Sequence, residues 1–256
     1  MSSIPKLLKL KDYVTLTGTT LGIMALCCAV IGRRDFISLG FFFVTISVGT
    51  DLIDGYIARK TGTANEMGRE LDSLSDSLTF GIAPAVLTFQ AFRTGGPYDF
   101  ILLIGSIIFA WGAILRLARF NITEAEGYTG VPTPLSAIFL INFFYLNYFF
   151  AFAYGGGGLS GIMYPMPEIS YYIIPIIMIF IAYCNITIRI SFTEKGKFVY
   201  NMFMVFAPVC PILGLIGVLN PNFVLSMVVF VFFLAAFLIE LVIIVIGFFK
   251  KKSLKG

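Results

Sequence analysis

Residues 51–81 read DLIDGYIARKTGTANEMGRELDSLSDSLTFG. The stretch sets four aspartates, Asp51, Asp54, Asp72 and Asp76, between long apolar runs of a chain that is 58% hydrophobic and only 12% charged. Asp51 and Asp54 are three apart and Asp72 and Asp76 four apart, spacings that put side chains on one face of a helix. Two antiparallel helices joined by the short segment between them therefore aim four carboxylates at one point. Each carboxylate costs about 3 kcal/mol at the middle of a membrane helix, and four together repel, so something positive must sit among them. Oxygen donors without His or Cys suit a hard cation such as Mg²⁺ or Mn²⁺, and four carboxylates are enough for two ions. Gly55 and Ala58 follow on nearly the same face as Asp51 and Asp54 and leave room for a ligand to approach the helix backbone. Arg59 adds a fork of donors suited to phosphate. Together these residues describe a site for a diphosphate ligand. Ordinary interfacial charge at helix ends explains any one aspartate, but poorly explains four with Gly, Ala and Arg at these spacings.

Around this stretch lie 256 residues of mean hydropathy +0.93. Apolar runs of roughly 18 to 25 residues recur, the length that crosses ~30 Å of hydrocarbon. The reading is an all-α, polytopic integral membrane protein without a soluble domain of useful size. Eight helices are expected, at about 13–32, 36–60, 66–92, 99–120, 132–153, 170–190, 197–219 and 222–249. Gly95-Gly96-Pro97, Gly127, Gly130, Pro132, the glycine run 155–158 and Asn220-Pro221 mark the breaks. Residues 154–166 separate the fifth and sixth helices, and the glycine run at 155–158 within them reads as a flexible extracytoplasmic loop. The basic N-terminus, MSSIPKLLKLKDY, precedes an apolar run with no small-residue cleavage site, so the first span is expected to be retained. Cys27, Cys28, Cys184 and Cys210 sit in apolar runs and read as small core residues. The chain has no histidine, which excludes His-based triads and leaves acid–base work to carboxylates.

Charge sets the expected orientation. With eight spans, all but three of the 18 basic residues fall on the side of the termini; Arg33, Arg34 and Arg93 fall opposite. The positive-inside rule then places both termini and the aspartate segment in the cytoplasm, in the cell membrane. Lys195 and Lys197 form a basic cytoplasmic hairpin able to hold anionic headgroups. The net charge of +4 fits a membrane surface. No basic stripe interleaved with aromatics exists to bind nucleic acid.

Asp51-x2-Asp54-Gly55-x2-Ala58-Arg59-x8-Gly68-x3-Asp72-x3-Asp76 fills every position of a known signature. It resembles that of the CDP-alcohol phosphatidyltransferases, a family of integral membrane enzymes. The resemblance covers roughly residues 10–190. It implies a six-helix core over 1–192, usually dimeric, with two further helices and a basic tail over 193–256. It implies two divalent ions on Asp51, Asp54, Asp72 and Asp76, and a CDP-lipid against Gly55, Ala58, Arg59 and Gly68 with its diphosphate on the metals. The acceptor hydroxyl attacks the lipid-side phosphorus and CMP leaves. With no histidine available a carboxylate is the natural base, and the resemblance points to Asp76, as a base, a ligand, or both; a route through a phosphatidyl-aspartate is less attractive among like charges.

The acceptor is read from residues 115–134, LRLARFNITEAEGYTGVPTP. Arg116 and Arg119 share a helix face, with Asn121 just beyond. They are either positive-inside anchors or a pair that binds an anion such as an amino-acid carboxylate. Arg-Leu-Ala-Arg-Phe-Asn followed by Gly-x-Pro-x-Pro is similar to the phosphatidylserine synthase branch of the family. That implies L-serine as acceptor, with Arg116, Arg119 and Asn121 around it, and phosphatidylserine or archaetidylserine as product. The branch often opens with Pro-Asn and a nearby Thr. Here residues 9–15 read KLKDYVT, and only Thr15 answers that pattern. Glycerol 3-phosphate and inositol phosphate remain as alternative acceptors, though their dianionic phosphate asks for more basic residues. A carboxylate-based ion transporter is the reading from another class; it expects carboxylates at the bilayer midplane and a second access route. Glu240, alone in the last helix, is expected to pair with a polar partner on a neighbouring helix or at a dimer contact.

Overall fold

The structure, a computed structural model, describes residues 8–61, 66–122, 128–156, 158–192 and 222–249. Its elements are α1 (Leu10–Ile31), α2 (Arg34–Thr61), α3 (Glu66–Asp76), a π-helical segment (Ser77–Ile82), α4 (Ala83–Phe92), α5 (Asp99–Ile122), β1 (Tyr128–Thr129), α6 (Thr133–Gly155), α7 (Gly158–Met163), α8 (Glu168–Ile186), β2 (Ser191–Phe192) and α9 (Phe223–Phe249). Six of these helices are long and apolar enough to cross a membrane: Leu10–Ile31, Arg34–Ile57, Asp99–Ile122, Thr133–Gly155, Glu168–Ile186 and Phe223–Phe248. The architecture is that of an all-α polytopic membrane protein. The expected helix at 197–219, with Lys195, Lys197 and Cys210, lies outside the described residues.

Local chemistry sets the ends. The Lys9 backbone N–H donates to the Asp12 carboxylate at 2.7 Å, closing the first turn of α1 and placing an acid at a helix N-terminus. Gly32, at φ +73°, ends α1 in the left-handed conformation that only glycine adopts at no cost. Pro132 and Pro134 open α6, and Gly156 at φ +85° closes it.

α6 is the axis of the bundle, with 89% of its apolar window buried. Phe139, Phe144, Tyr145, Tyr148 and Phe149 are all buried along it. α9 lies against α6 through ring contacts: Phe139 tilted on Phe237 at 4.5 Å and Tyr145 stacked on Phe233 at 4.9 Å between centroids. Along the same seam the Asn142 amide donates to the Glu240 carboxylate at 2.9 Å, with both residues buried. Glu240 thus finds its partner on a neighbouring helix. The outer faces carry exposed apolar side chains such as Val30, Phe100, Trp111, Leu115, Ile176 and Val228, as a lipid-facing surface requires.

Small residues let the other helices close. α5 meets α8 where Gly105 faces Pro175 and Gly112 faces Ala182; a Cβ on Gly112 would sit 2.8 Å from the Ala182 Cα. α1 meets α2 and the π segment at Gly18 and Gly22, whose absent Cβ atoms would lie 2.7 Å from the Thr50 hydroxyl and 2.6 Å from the Thr79 hydroxyl. This close approach of backbones is the membrane form of helix packing.

Three local features depart from the sequence reading. The helix expected over 66–92 is helical throughout but in three pieces, with a π turn directly after Asp76. The break expected over 154–166 carries α7, which packs on α6; of the glycine run expected to be a flexible loop, Gly155 ends α6 and Gly158 begins α7. A Cβ on Gly155 would meet Tyr164 at 2.6 Å, and Arg34 donates to the carbonyls of Ile162 and Tyr164. Gly155 thus serves contact rather than looseness. Finally, β1 and β2 form a short antiparallel pair, Tyr128 with Phe192 and Thr129 with Ser191.

The α5–α8 contact yields a stability test. Gly112→Ala is expected to lower the unfolding midpoint in detergent, by the ~1–3 kcal/mol typical of overpacking. Gly49→Ala, where a Cβ meets nothing within 4 Å, is expected to hold or raise it through helix propensity. Equal midpoints for the two variants would contradict the packing described.

Candidate active site

The four aspartates gather where the C-terminal half of α2 faces the C-terminal half of α3. Asp51 and Asp54 stand on α2, Asp72 and Asp76 on α3. One carboxylate oxygen from each of Asp51, Asp72 and Asp76 lies within 4.8 Å of the others. Asp54 joins the same pocket but engages α1, accepting a hydrogen bond from the Thr15 hydroxyl at 2.7 Å. The pocket is walled by Thr15 and Gly18 of α1, by Ser47 and Thr50 of α2, by Ser75, Thr79 and Phe80, and by the four aspartates.

α1 orients both carboxylate-bearing helices. Its Thr15 hydroxyl reaches Asp54 on α2, while its Thr19 hydroxyl donates to Ser75 on α3 at 2.8 Å. Thr15 and Thr19 are one turn apart, so one face of α1 tethers two neighbours. Lys11, also on α1, is buried and paired with Asp12 at 3.1 Å. Its charge acts on Asp54 and Asp72. Counting Lys11 only as a cytoplasmic anchor misses this placement. The Thr15–Thr19 spacing was the available signal for the hydroxyl tethers.

The donor set is anionic, all oxygen and convergent, which is the chemistry of a hard divalent cation. The residues present fit such an ion: three carboxylate oxygens converge, a fourth carboxylate stands beside them, and a hydroxyl fixes that fourth one from behind, as outer-sphere partners do.

The remaining expected site residues divide. Gly55 and Gly68 lie on α2 and α3, Gly68 buried. Ala58 and Arg59 fall in the last turns of α2, and their side chains lie outside the described residues. Arg116 is buried and donates to the Thr133 hydroxyl at 2.9 Å, and its charge acts on Asp76. Arg119, one turn on, donates to the backbone carbonyls of Thr129, Asn185 and Ile186. It therefore joins α5 to the C-terminal end of α8, where a cation also meets the negative end of the helix dipole. Asn121 accepts from the Ser73 hydroxyl at 3.1 Å, which ties α5 to α3 beside Asp72.

A bundle of membrane-crossing helices enclosing a pocket of carboxylates defines the class of a polytopic membrane protein with an internal acidic pocket. The chain matches the CDP-alcohol phosphatidyltransferase family over residues 8–166, more than half its length, and belongs to that family. The match contains every residue of the pocket, with Arg116 and Arg119. Among curated proteins it is 36% identical over 171 residues to the CDP-diacylglycerol–serine O-phosphatidyltransferase of Methanocaldococcus jannaschii, covering 64% of this chain and 78% of that one. It is 33% identical over 153 residues to the archaetidylserine synthase of Methanothermobacter thermautotrophicus, covering 58% and 62%. To the CDP-diacylglycerol–serine O-phosphatidyltransferase of Bacillus subtilis it is 32% identical over 123 residues, covering 47% and 68%.

Direct titration of Mn²⁺ followed by electron paramagnetic resonance tests the cation site. Asp51→Asn and Asp72→Asn are each expected to abolish saturable binding. Thr15→Val, which releases Asp54, is expected to weaken it by ~10-fold or more. Wild-type affinity in all three variants would remove these residues from the site.

Proposed function

We propose that this protein transfers the phosphatidyl group of a CDP-lipid, CDP-diacylglycerol or CDP-archaeol, to the hydroxyl of L-serine and releases CMP. The observation that carries the proposal is the convergence of Asp51, Asp72 and Asp76 within 4.8 Å in a pocket that also holds Asp54 and has the buried Arg116 within electrostatic reach. The serine-transferase names of the relatives support the choice of acceptor.

What a bound pair of Mg²⁺ or Mn²⁺ ions supplies is neutralisation of the diphosphate and stabilisation of the departing CMP. The side chains of the chain do the rest. Asp51, Asp54, Asp72 and Asp76 fix the reacting diphosphate at the pocket. Gly55, Ala58 and Gly68 leave room for the nucleotide half along α2 and α3, and Arg59 offers its fork to phosphate. Arg116 takes the serine carboxylate. Arg119 serves the reaction through the frame, because its donors are engaged by the carbonyls of the α8 terminus. Asn121, bound to Ser73, borders the serine side. The serine oxygen forms a bond to the lipid-side phosphorus, the phosphorus–oxygen bond to CMP breaks, and CMP leaves with the electron pair. The hydroxyl proton passes to Asp76 as the new bond forms.

Residues 1–192 form the catalytic core in this proposal and 193–256 an addition to it. The protein sits in the cell membrane as a homodimer, with the pocket and both termini cytoplasmic, as the distribution of basic residues favours.

The test is CMP release by the purified protein in detergent, with a CDP-lipid and a panel of L-serine, glycerol 3-phosphate and inositol phosphate. Turnover is expected with serine alone and is abolished by chelation; turnover driven by another acceptor overturns the assignment. Within that assay Arg116→Lys is expected to raise the KM for serine more than that for the CDP-lipid, since lysine lacks the planar fork. A rise confined to the lipid KM makes Arg116 a phosphate contact. Asp76→Asn should lose at least ~100-fold in kcat while calorimetry still detects CDP-lipid binding.

A further inference from the structure

Thr79 stands apart from most hydroxyl residues in the bundle. Thr17, Thr20, Thr45 and Ser106 each return the side-chain hydroxyl to the carbonyl four residues earlier, at 2.8–2.9 Å. This is the usual way a serine or threonine is satisfied in an apolar helix. Thr79 is 1% exposed, and its hydroxyl has no hydrogen-bond partner among the described residues. It lies in the π segment that begins directly after Asp76. Such turns recur at functional sites. Thr88 and Ser226 are also buried without a partner, but neither borders the carboxylate pocket, whereas Thr79 does. Gly22 of α1 keeps the space open, since a Cβ there would lie 2.6 Å from the Thr79 hydroxyl oxygen.

The pocket changes character along its length. Near the α2–α3 connection its walls are carboxylates. One turn farther from that connection the walls are Ser47, Thr50, Thr79 and then Phe80. The Ser47 and Thr50 hydroxyls donate to backbone carbonyls, so Thr79 alone of these three lacks a partner. The Ser47, Thr50, Thr79 and Phe80 side chains themselves carry no charge to meet the carboxylate or ammonium of an amino acid, or a phosphate. A neutral oxygen beside apolar carbon fits it. In the proposed reaction that combination occurs where the glycerol oxygens of the CDP-lipid adjoin the phosphate.

We propose that the Thr79 hydroxyl is a substrate contact, donating a hydrogen bond to a glycerol oxygen of the phosphatidyl half of the CDP-lipid. The inference rests on the CDP-lipid reading above and extends it to the lipid side of the pocket. The contact distinguishes a CDP-lipid from free CDP, because CDP lacks the acceptor oxygen. It also accounts for a buried hydroxyl that the helix itself leaves without a partner.

The test uses the full chain in detergent with Mn²⁺ and calorimetric titration of two probes, CDP-diacylglycerol and CDP. Thr79→Val keeps the shape and removes the hydroxyl; Thr79→Ser keeps the hydroxyl. Thr79→Val is expected to raise the Kd for CDP-diacylglycerol about fivefold or more, to leave the Kd for CDP within twofold, and to leave the unfolding midpoint unchanged or higher. Thr79→Ser is expected to restore the lipid affinity. An unchanged lipid Kd in Thr79→Val overturns the inference, as does an equal loss for both probes, a rise confined to the serine KM, or a lowered midpoint with every affinity reduced. Wild-type protein that fails to bind CDP-diacylglycerol sinks the proposed function and this inference together. Wild-type binding with an unaltered Thr79→Val sinks the inference alone.

Discussion

Like-charged carboxylates do not approach one another in an apolar bundle unless the scaffold holds them there. Asp51, Asp72 and Asp76 come within 4.8 Å because α1 binds α2 and α3 at once. Gly18 and Gly22 bring its backbone against Thr50 and Thr79. Thr15 and Thr19 then fix Asp54 and Ser75 by hydroxyl bonds. Relief of that repulsion would favour a divalent cation, so the packing that gathers the carboxylates also suits them to one.

The second anchor is the junction of α5, the β1 turn and α8. Gly130, at φ +79°, lets the chain pass so close to Asn185 that a Cβ would lie 2.1 Å from its carbonyl oxygen. The backbone N–H of Gly130 donates to Ile190, and that of Val131 to Cys184, each at 3.0 Å. Arg119 completes the seam from α5. With Arg119 committed there, the helical phase of α5 is set, and Arg116 one turn earlier is carried to Thr133 and into reach of Asp76. Two arginines three residues apart thus take different parts, Arg119 bound to the carbonyls at the end of α8 and Arg116 to the Thr133 hydroxyl.

The last helix is held by shape and by one polar pair. Its rings pack along α6, and Asn142 with Glu240 fixes the register between them. A buried carboxylate contributes little net stability, but leaving it unpaired is costly, so sliding α9 along α6 by a turn is disfavoured. Registry is the best-attested use of such a pair.

The sequence alone determined the class of fold, most of the helix positions and the identity of the aspartates. Hydrophobic runs of membrane length and i, i+3 and i, i+4 spacing are local properties, and residues 51–81 carry them openly. Local pattern also told α-helix from loop at Gly95-Gly96-Pro97 and at Pro132. It could not tell that the turn after Asp76 widens into a π segment, because that depends on what α1 presents to Thr79. Nor could it tell that residues 158–163 fold back on α6, since glycine reads as looseness until a partner surface is known. Arg116 and Arg119 are indistinguishable as a pair in the sequence, and only the position of the α8 carbonyls separates them. Thr15 and Lys11 acquire their meaning in the same way, from carboxylates that lie dozens of residues away along the chain and within a few ångströms in space. Spacing along one helix fixes which side chains share a face; which groups that face meets is decided by the packing of helices against one another.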